Sequence, residues 1–238
     1  MINDIINLLN QLPEINVKES NYIYNNNRVP RVTKIINRCI HNDGLMYWAN
    51  NLGFKRLKYN QVLNDAANIG TECHNNIDNF LSDTPLNRMI LPEVKNAYGS
   101  FLKWYNDINT YANVEVLMHE TSLVCKHFGG TLDGLYKINN KIYIIDYKTS
   151  NHITFNYFLQ LAAYIFMLES QHNMHIDGAI IVQLSKNEIS YNEYALDFIS
   201  NPMHKKYMDD CKETFLIMVL YYYHLYKIEK DFDHINWS

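Results

Sequence analysis

Two aspartates and a lysine are spaced in this sequence so that they meet. The stretch from Gly129 to Thr149 reads as two short strands joined by Asn139-Asn140, a pair that tolerates the positive φ angles of a tight hairpin turn. With a two-residue loop Ile138 faces Lys141, and counting back sets Asp133 opposite Asp146. Opposed residues share one face of a sheet, with Cβ atoms roughly 4.5–5.5 Å apart. Two carboxylates held so close repel unless a proton or a cation lies between them. Lys148, two residues beyond Asp146, returns to the same face. Paired acids suit a hard divalent cation, and Mg²⁺ in particular is held by one or two carboxylates plus water and substrate phosphate. A lysine beside such a cation orients or helps deprotonate an attacking water, or neutralises the charge that develops as a phosphodiester breaks.

The elements that must carry these residues are legible as hydrophobic periods. Ile2, Ile5, Ile6, Leu9 and Leu12 predict a first helix, stopped by Pro13. Residues 14 to 27 look irregular or briefly extended. A helix with Val32, Ile35, Ile36 and Cys39 follows, and around it sits a small basic cluster of Arg28, Arg31, Lys34 and Arg38. Such a cluster is most often a solvated face, and it is also the kind that lines a path for phosphates. Further helices are expected near 45–52, up to Leu81 with a stripe of Val62, Ala66, Ile69, Cys73, Ile77 and Phe80 facing a core, and over 91–111. His74 lies at the edge of that stripe, where a histidine is more often a packed or surface residue than a ligand. Then the pattern changes. A strand over 114–125 leads into the hairpin, followed by a helix over 156–171, strands over 179–184 and 190–196, and a last helix opened by Asn201-Pro202. Gln160 and Tyr164 are four apart and share a face of their helix. The expected organisation is one domain over 1–238: an α/β core from 113 onward with a mainly helical part over 1–112.

Composition sets the outer bounds. An apolar fraction of 47% supports a buried core. A formal net charge of −4 argues against a generic basic nucleic-acid binder, but not against an enzyme whose bound cation restores positive potential locally. The four cysteines, Cys39, Cys73, Cys125 and Cys211, show no CxxC spacing for zinc or an iron–sulfur cluster and read as reduced, mostly buried thiols. No apolar run reaches the roughly 20 residues that cross a bilayer, and the N-terminal segment has neither the basic start of a signal peptide nor the arginines of a transit peptide. A soluble intracellular protein without membrane attachment is expected. The abundance of Asn, Ile, Lys and Tyr hints at an AT-rich coding genome, compatible with a phage or viral source.

At these residues the sequence resembles the PD-(D/E)XK nuclease superfamily, and within it the RecB-type exonuclease branch. The resemblance rests on Gly130-Thr131-Leu132-Asp133-Gly134, on Asp146-Tyr147-Lys148-Thr149 and on Gln160-Leu161-Ala162-Ala163-Tyr164. It extends upstream to Gly70-Thr71-Glu72-Cys73-His74, similar to the G-x-x-x-H helix motif of that branch, and to Val29-Pro30-Arg31-Val32-Thr33-Lys34-Ile35-Ile36, similar to an opening segment of phage and mitochondrial-maintenance exonucleases. Together these span about residues 29–165. The resemblance implies a restriction-endonuclease-like core, a mixed central sheet flanked by helices. It implies that Asp133, Asp146 and the Tyr147 carbonyl ligate Mg²⁺ or Mn²⁺, that His74 joins them from the helical part, and that Lys148 positions the water. Gln160 and Tyr164 would flank the site and support Lys148 or the DNA; a polar face packed on the sheet is the competing reading. Glu120 matches an acid on the preceding strand, as ligand or supporting acid. The proline usual before the first acid is missing here, and the cluster cysteines of CRISPR-adaptation relatives are absent.

The expectation is a Mg²⁺- or Mn²⁺-dependent deoxyribonuclease of DNA replication, repair or recombination. It would hydrolyse phosphodiester bonds from single-stranded ends, with Arg28, Arg31 and Lys34 among the DNA-binding residues and the part before 112 forming an arch or wall over the site. Rival readings are a duplex-end recombination exonuclease, a structure-specific endonuclease, and a non-catalytic nucleic-acid-binding protein on a nuclease fold.

Overall fold

The computed structural model describes residues 2–40 and 43–234, with the backbone alone for Asp43, Leu45 and Met46. Helix α1 (Ile2–Gln11) is followed by a small hairpin, β1 (Ile23–Tyr24) and β2 (Asn27–Arg28). Helices α2 (Val32–Cys39), α3 (Asp43–Phe54), α4 (Tyr59–Leu81) and α5 (Pro92–Tyr111) complete the N-terminal part. The core then runs β3 (Val114–Val124), β4 (Gly129–Ile138), β5 (Lys141–Lys148), α6 (Phe155–His172), β6 (Gly178–Leu184), β7 (Tyr191–Asp197) and α7 (Pro202–Phe232). This is the mixed α/β architecture expected. Among the described residues no helix is long and apolar enough to cross a membrane.

The five long strands form one sheet in the order β3-β4-β5-β6-β7, and every pairing is antiparallel except β5 with β6. A parallel pair needs a crossover, and α6 supplies it. The β4–β5 turn is the predicted one: Asn139 and Asn140 take φ of 47° and 65°, and Ile138 pairs with Lys141. The same signal in Asn25-Asn26, with the same two φ values, turns β1 into β2. This second hairpin falls in the stretch expected to be irregular or briefly extended, where two-residue strands are too short to show an alternation.

Alternation along the strands feeds two apolar layers. Leu135, Ile144, Ala179 and Ile181 pack with α1, α2, α6 and α7, while Tyr136, Ile145, Tyr147, Ile180 and Val182 pack with α4 and α5. The second layer is strongly aromatic. Phe101 lies between Trp104, Tyr105 and Tyr147, with its ring edge-on to Tyr147 at 5.3 Å. The buried Tyr136 and Tyr147 hydroxyls satisfy each other at 2.8 Å. Asn201 caps α7 as expected, its side chain accepting from the Met203 N–H at 3.0 Å.

Helix α4 departs from its expected role. Cys73 and Ile77 are buried, but Val62, Leu63, Ala66 and Ala67 are partly or fully exposed. Only the second half of the helix packs on the sheet; the first half projects beyond it together with α3. The periodicity is real, yet small residues at Ala66, Ala67 and Gly70 make that face a wall of the cleft rather than a core surface.

Phe101 is fully buried at the centre of the layer that backs Tyr147. Phe101→Ala should cost about 3–5 kcal/mol of stability, readable as a shift in the denaturant midpoint.

Candidate metal centre

The predicted acid pair stands where β4 and β5 part. Their ladder runs from Ile138–Lys141 to Gly134–Ile145. The next step in that register sets Asp133 against Asp146. There the backbone ladder ends, and the Asp133 side chain takes over: its Oδ2 accepts the Tyr147 N–H at 2.9 Å. Beyond this point β5 pairs only with β6, Asp146 against Ile181 and Lys148 against Gln183. The opening therefore lies at the carboxyl end of β5, where α4 reaches in from one layer and α6 from the other.

Helix α4 brings His74. Its Nε2 lies 3.0 Å from the Tyr147 carbonyl, and its Nδ1 lies 3.3 Å from Glu120 Oε1 and 3.6 Å from Asp133 Oδ1. Helix α6 brings Gln160, whose Oε1 accepts from Lys148 Nζ at 3.3 Å while its Nε2 donates to the Tyr164 hydroxyl at 3.1 Å. Lys148 Nζ also donates to Asp146 Oδ1 at 2.7 Å and lies 4.9 Å from the centre of the Tyr157 ring. All eight residues expected around the lysine and the cation (His74, Glu120, Asp133, Asp146, Tyr147, Lys148, Gln160 and Tyr164) thus meet at one point. Gly130 belongs to the same assembly. A Cβ there would stand 2.5 Å from Tyr164 Cε1 and 2.7 Å from its hydroxyl oxygen, so only glycine lets the tyrosine lie across β4.

Glu120 reaches the site through an unusual backbone. It takes φ of 40° inside β3, a left-handed conformation that costs a non-glycine residue on the order of 1–2 kcal/mol. Upstream, the β3–β4 register shifts between Val116 and Met118. Its neighbour His119 pairs through Nδ1 with Asp78 Oδ1 at 2.7 Å. Asp78 is one turn beyond His74, so this pair clasps α4 to β3 and holds His74 in place. The sequence reading passed over the clasp, although the i,i+4 spacing of His74 and Asp78 sets both on one helix face.

Arg28, Arg31 and Lys34 lie elsewhere. Arg28 donates to the Lys18 carbonyl at 3.3 Å, and Lys34 lies 3.9 Å from Glu19. Arg31 and Lys34 line a groove between α2 and α7, apart from the cleft that holds His74 and Lys148. Helix α2 buries Val32, Ile35 and Ile36, which turns its basic side chains outward.

The electrostatics of the site fit a divalent cation. Ligand atoms of His74, Glu120 and Asp133 lie within 4.8 Å of one another. Asp146 stands outside that trio, bound to Lys148, but its Oδ2 is buried with no hydrogen-bond partner. A buried carboxylate oxygen without a partner is costly, and a cation satisfies it. Burial is the largest influence on Asp146 and raises its pKa against the opposing charge of Lys148. Burial pulls Lys148 down, but Asp146 and Asp133 outweigh it and hold the amine above its usual range, as an ammonium at neutral pH. Burial also pulls His74 down, and the charge of Asp133 with the Glu120 hydrogen bond overcomes it, pushing the imidazole up to about 9. The imidazolium thus supplies a positive charge among the acids.

The cleft in front of these groups has a volume of about 470 Å³. Its α4 wall is Ala66, Ala67, Gly70 and Thr71, and its far wall is Thr149, Ser150 and Tyr157. At Gly70 a Cβ would stand 3.4 Å from Thr149 Oγ1, so helix and strand end nearly touch there.

No family model and no curated protein matches the chain. Among solved structures, a crystal structure of SSO0001 aligns over 88% of this chain and 82% of its own length, at 16% identity and a TM-score of 0.34.

Two outcomes follow from this geometry. The His74 imidazole titrates near 9 when folded and near 6.5 when unfolded. Its stabilisation of the metal-free protein is therefore complete below pH ~6.5 and lost as pH rises toward 9. Cation binding needs the neutral imidazole, so the rise in melting temperature on adding Mn²⁺ should be larger at pH 9 than at pH 6.5. A Mn²⁺ shift that does not vary over this range contradicts a liganding His74. Separately, Gly130→Ala should cost about 1–3 kcal/mol by overpacking and displace Tyr164. A denaturation midpoint equal to wild type would show that the tyrosine does not depend on the glycine.

Proposed function

We propose that the chain is a PD-(D/E)XK nuclease of the RecB-type exonuclease branch that hydrolyses phosphodiester bonds of DNA from single-stranded ends with Mg²⁺ or Mn²⁺. The observation that carries the reading is the unpartnered Oδ2 of Asp146, buried beside Asp133 and next to the Lys148 ammonium. Buried acids kept at this density suit a site that receives a cation. Asp133, Asp146 and His74 would hold it, with the Tyr147 carbonyl beside them and Glu120 as a ligand or as the acid that orients His74. When bound, the cation supplies Lewis-acid activation of the phosphoryl oxygen and lowers the pKa of a water.

The protein's own residues do the rest. Lys148 is held as an ammonium, so its part is to donate to the attacking water or to the developing charge, and a role as base is disfavoured. Gln160 fixes the lysine together with Asp146, and Tyr164 fixes Gln160. Tyr157 leaves one face of the ammonium against an aromatic ring and so restricts where it points. The α4 wall of small residues, Ala66, Ala67 and Gly70, keeps side-chain bulk out of the cleft. The preference for single-stranded ends rests on the resemblance to the RecB-type exonuclease branch.

Incubation with end-labelled single-stranded, duplex and circular DNA, in Mg²⁺ and in EDTA, tests the reading. Metal-dependent shortening of linear single strands is expected, with circles intact; cleavage of circles contradicts an exonuclease. Lys148→Ala and Asp133→Asn should each lower kcat by ~10²–10³-fold or more. Unchanged rates in either variant would remove that residue from the site.

A further inference from the structure

Helix α3 and the first half of α4 form an arm, and its tip has a chemistry that the site does not use. Phe54 and Tyr47 are 88% and 72% exposed, the highest values among the exposed Phe and Tyr side chains of the described residues. Between them and the start of α4 stand Lys55, Arg56 and Lys58, all exposed. From Gly44 to Asn64 the chain carries these three cations and no acid, in a protein of net charge −4. The arm is tied together by Trp48 and Tyr59, whose rings meet edge-on at 5.4 Å, so the tip is a built turn.

The turn itself carries a second observation. The Leu57 N–H donates to the Leu52 carbonyl at 2.9 Å and the Arg56 N–H to the Gly53 carbonyl at 3.0 Å. These two bonds form a Schellman motif, with Arg56 in the left-handed position at φ 57°. Glycine is the favoured residue there, because a side chain at positive φ is strained. An exposed arginine therefore occupies a place that glycine would fill at lower conformational cost. Retained strain of this kind points to use.

We infer that the tip of the α3–α4 arm binds single-stranded nucleic acid, with Phe54 and Tyr47 stacking on bases and Lys55, Arg56 and Lys58 contacting phosphates. Aromatic faces interleaved with cations are the chemistry that holds single strands without sequence readout. The arm also places the tip on the path to the cleft: α4 runs from Tyr59, beside the tip, to His74 in the site. That is about 22 Å at 1.5 Å per residue, the length of roughly six stacked nucleotides at ~3.4 Å each. A strand held at the tip reaches the site along the wall of Ala66, Ala67 and Gly70. The inference rests on the nuclease reading for its substrate, but binding at the tip needs no cleavage.

The test measures fluorescence anisotropy of a labelled oligothymidine in EDTA, so that affinity is read without turnover. Phe54→Ala should weaken binding by about 5- to 150-fold, the range for loss of one stacked base. Arg56→Gly should raise the melting temperature while weakening binding and lowering the salt slope by roughly 0.7. Opposite signs in stability and affinity are not expected of a residue with a merely structural role. Unchanged affinity in both variants overturns the inference, and so does a wild-type protein that does not bind the oligonucleotide. Sedimentation with anionic vesicles that Phe54→Ala abolishes, with oligonucleotide affinity unaltered, would assign the tip to a membrane surface instead. Binding that depends on Phe54 in a protein that never cleaves DNA would keep the tip and remove the nuclease reading; cleavage with a Phe54→Ala affinity equal to wild type would do the reverse.

Discussion

Acids crowded at the parted ends of β4 and β5 are the constraint on which the rest of the structure depends. Two carboxylates about 5 Å apart repel by roughly 3 kcal/mol at an effective dielectric near 20, and Glu120 adds a third acid within 4.8 Å of Asp133 and His74. Three features of the fold answer that repulsion. Asp133 takes a backbone N–H in place of the missing ladder bond. Lys148 lies against Asp146 from the same strand, and His74 arrives as a cation from α4. What remains unanswered is Asp146 Oδ2.

Holding charged groups in this arrangement requires rigid surroundings. The aromatic layer of Phe101, Trp104, Tyr136 and Tyr147 fixes β5 from behind, and the Tyr136–Tyr147 hydroxyl pair leaves no buried oxygen there to shift. The His119–Asp78 clasp and the buried Cys73 and Ile77 seat α4. On the other side, Tyr164 lies across Gly130 and anchors Gln160, which anchors Lys148. Strain at Glu120 is sustained between the His119–Asp78 clasp beside it and its own contact with His74.

The part of the site that lies on one hairpin was legible because turn chemistry and a period of two leave no freedom. Asn139-Asn140 sets the register, and the register sets Asp133, Asp146 and Lys148. His74, Gln160 and Tyr164 were named through a resemblance, since nothing in a helical period says which distant strand a face will meet. The backbone of Glu120 was not legible: no glycine or asparagine marks its positive φ. The first half of α4 misled for a related reason. Its stripe of Val62, Ala66 and Ile69 has the period of a core face, but burial depends on what stands opposite: Ala66 faces the cleft, and Val62 and Ile69 are only half-buried. Arg28, Arg31 and Lys34 were grouped by proximity in sequence; Arg31 and Lys34 line the groove between α2 and α7, and Arg28 lies on β2 against the Lys18 carbonyl.

The central claim is that Asp146 and Asp133 hold one cation together with His74. Anomalous diffraction from crystals grown with Mn²⁺ at pH 8 tests it most directly. The account predicts a single strong peak about 2.0–2.3 Å from a carboxylate oxygen of each aspartate and from a ring nitrogen of His74. A peak that contacts His74 and Glu120 but leaves Asp146 bound only to Lys148, or no peak in this cleft, would contradict it.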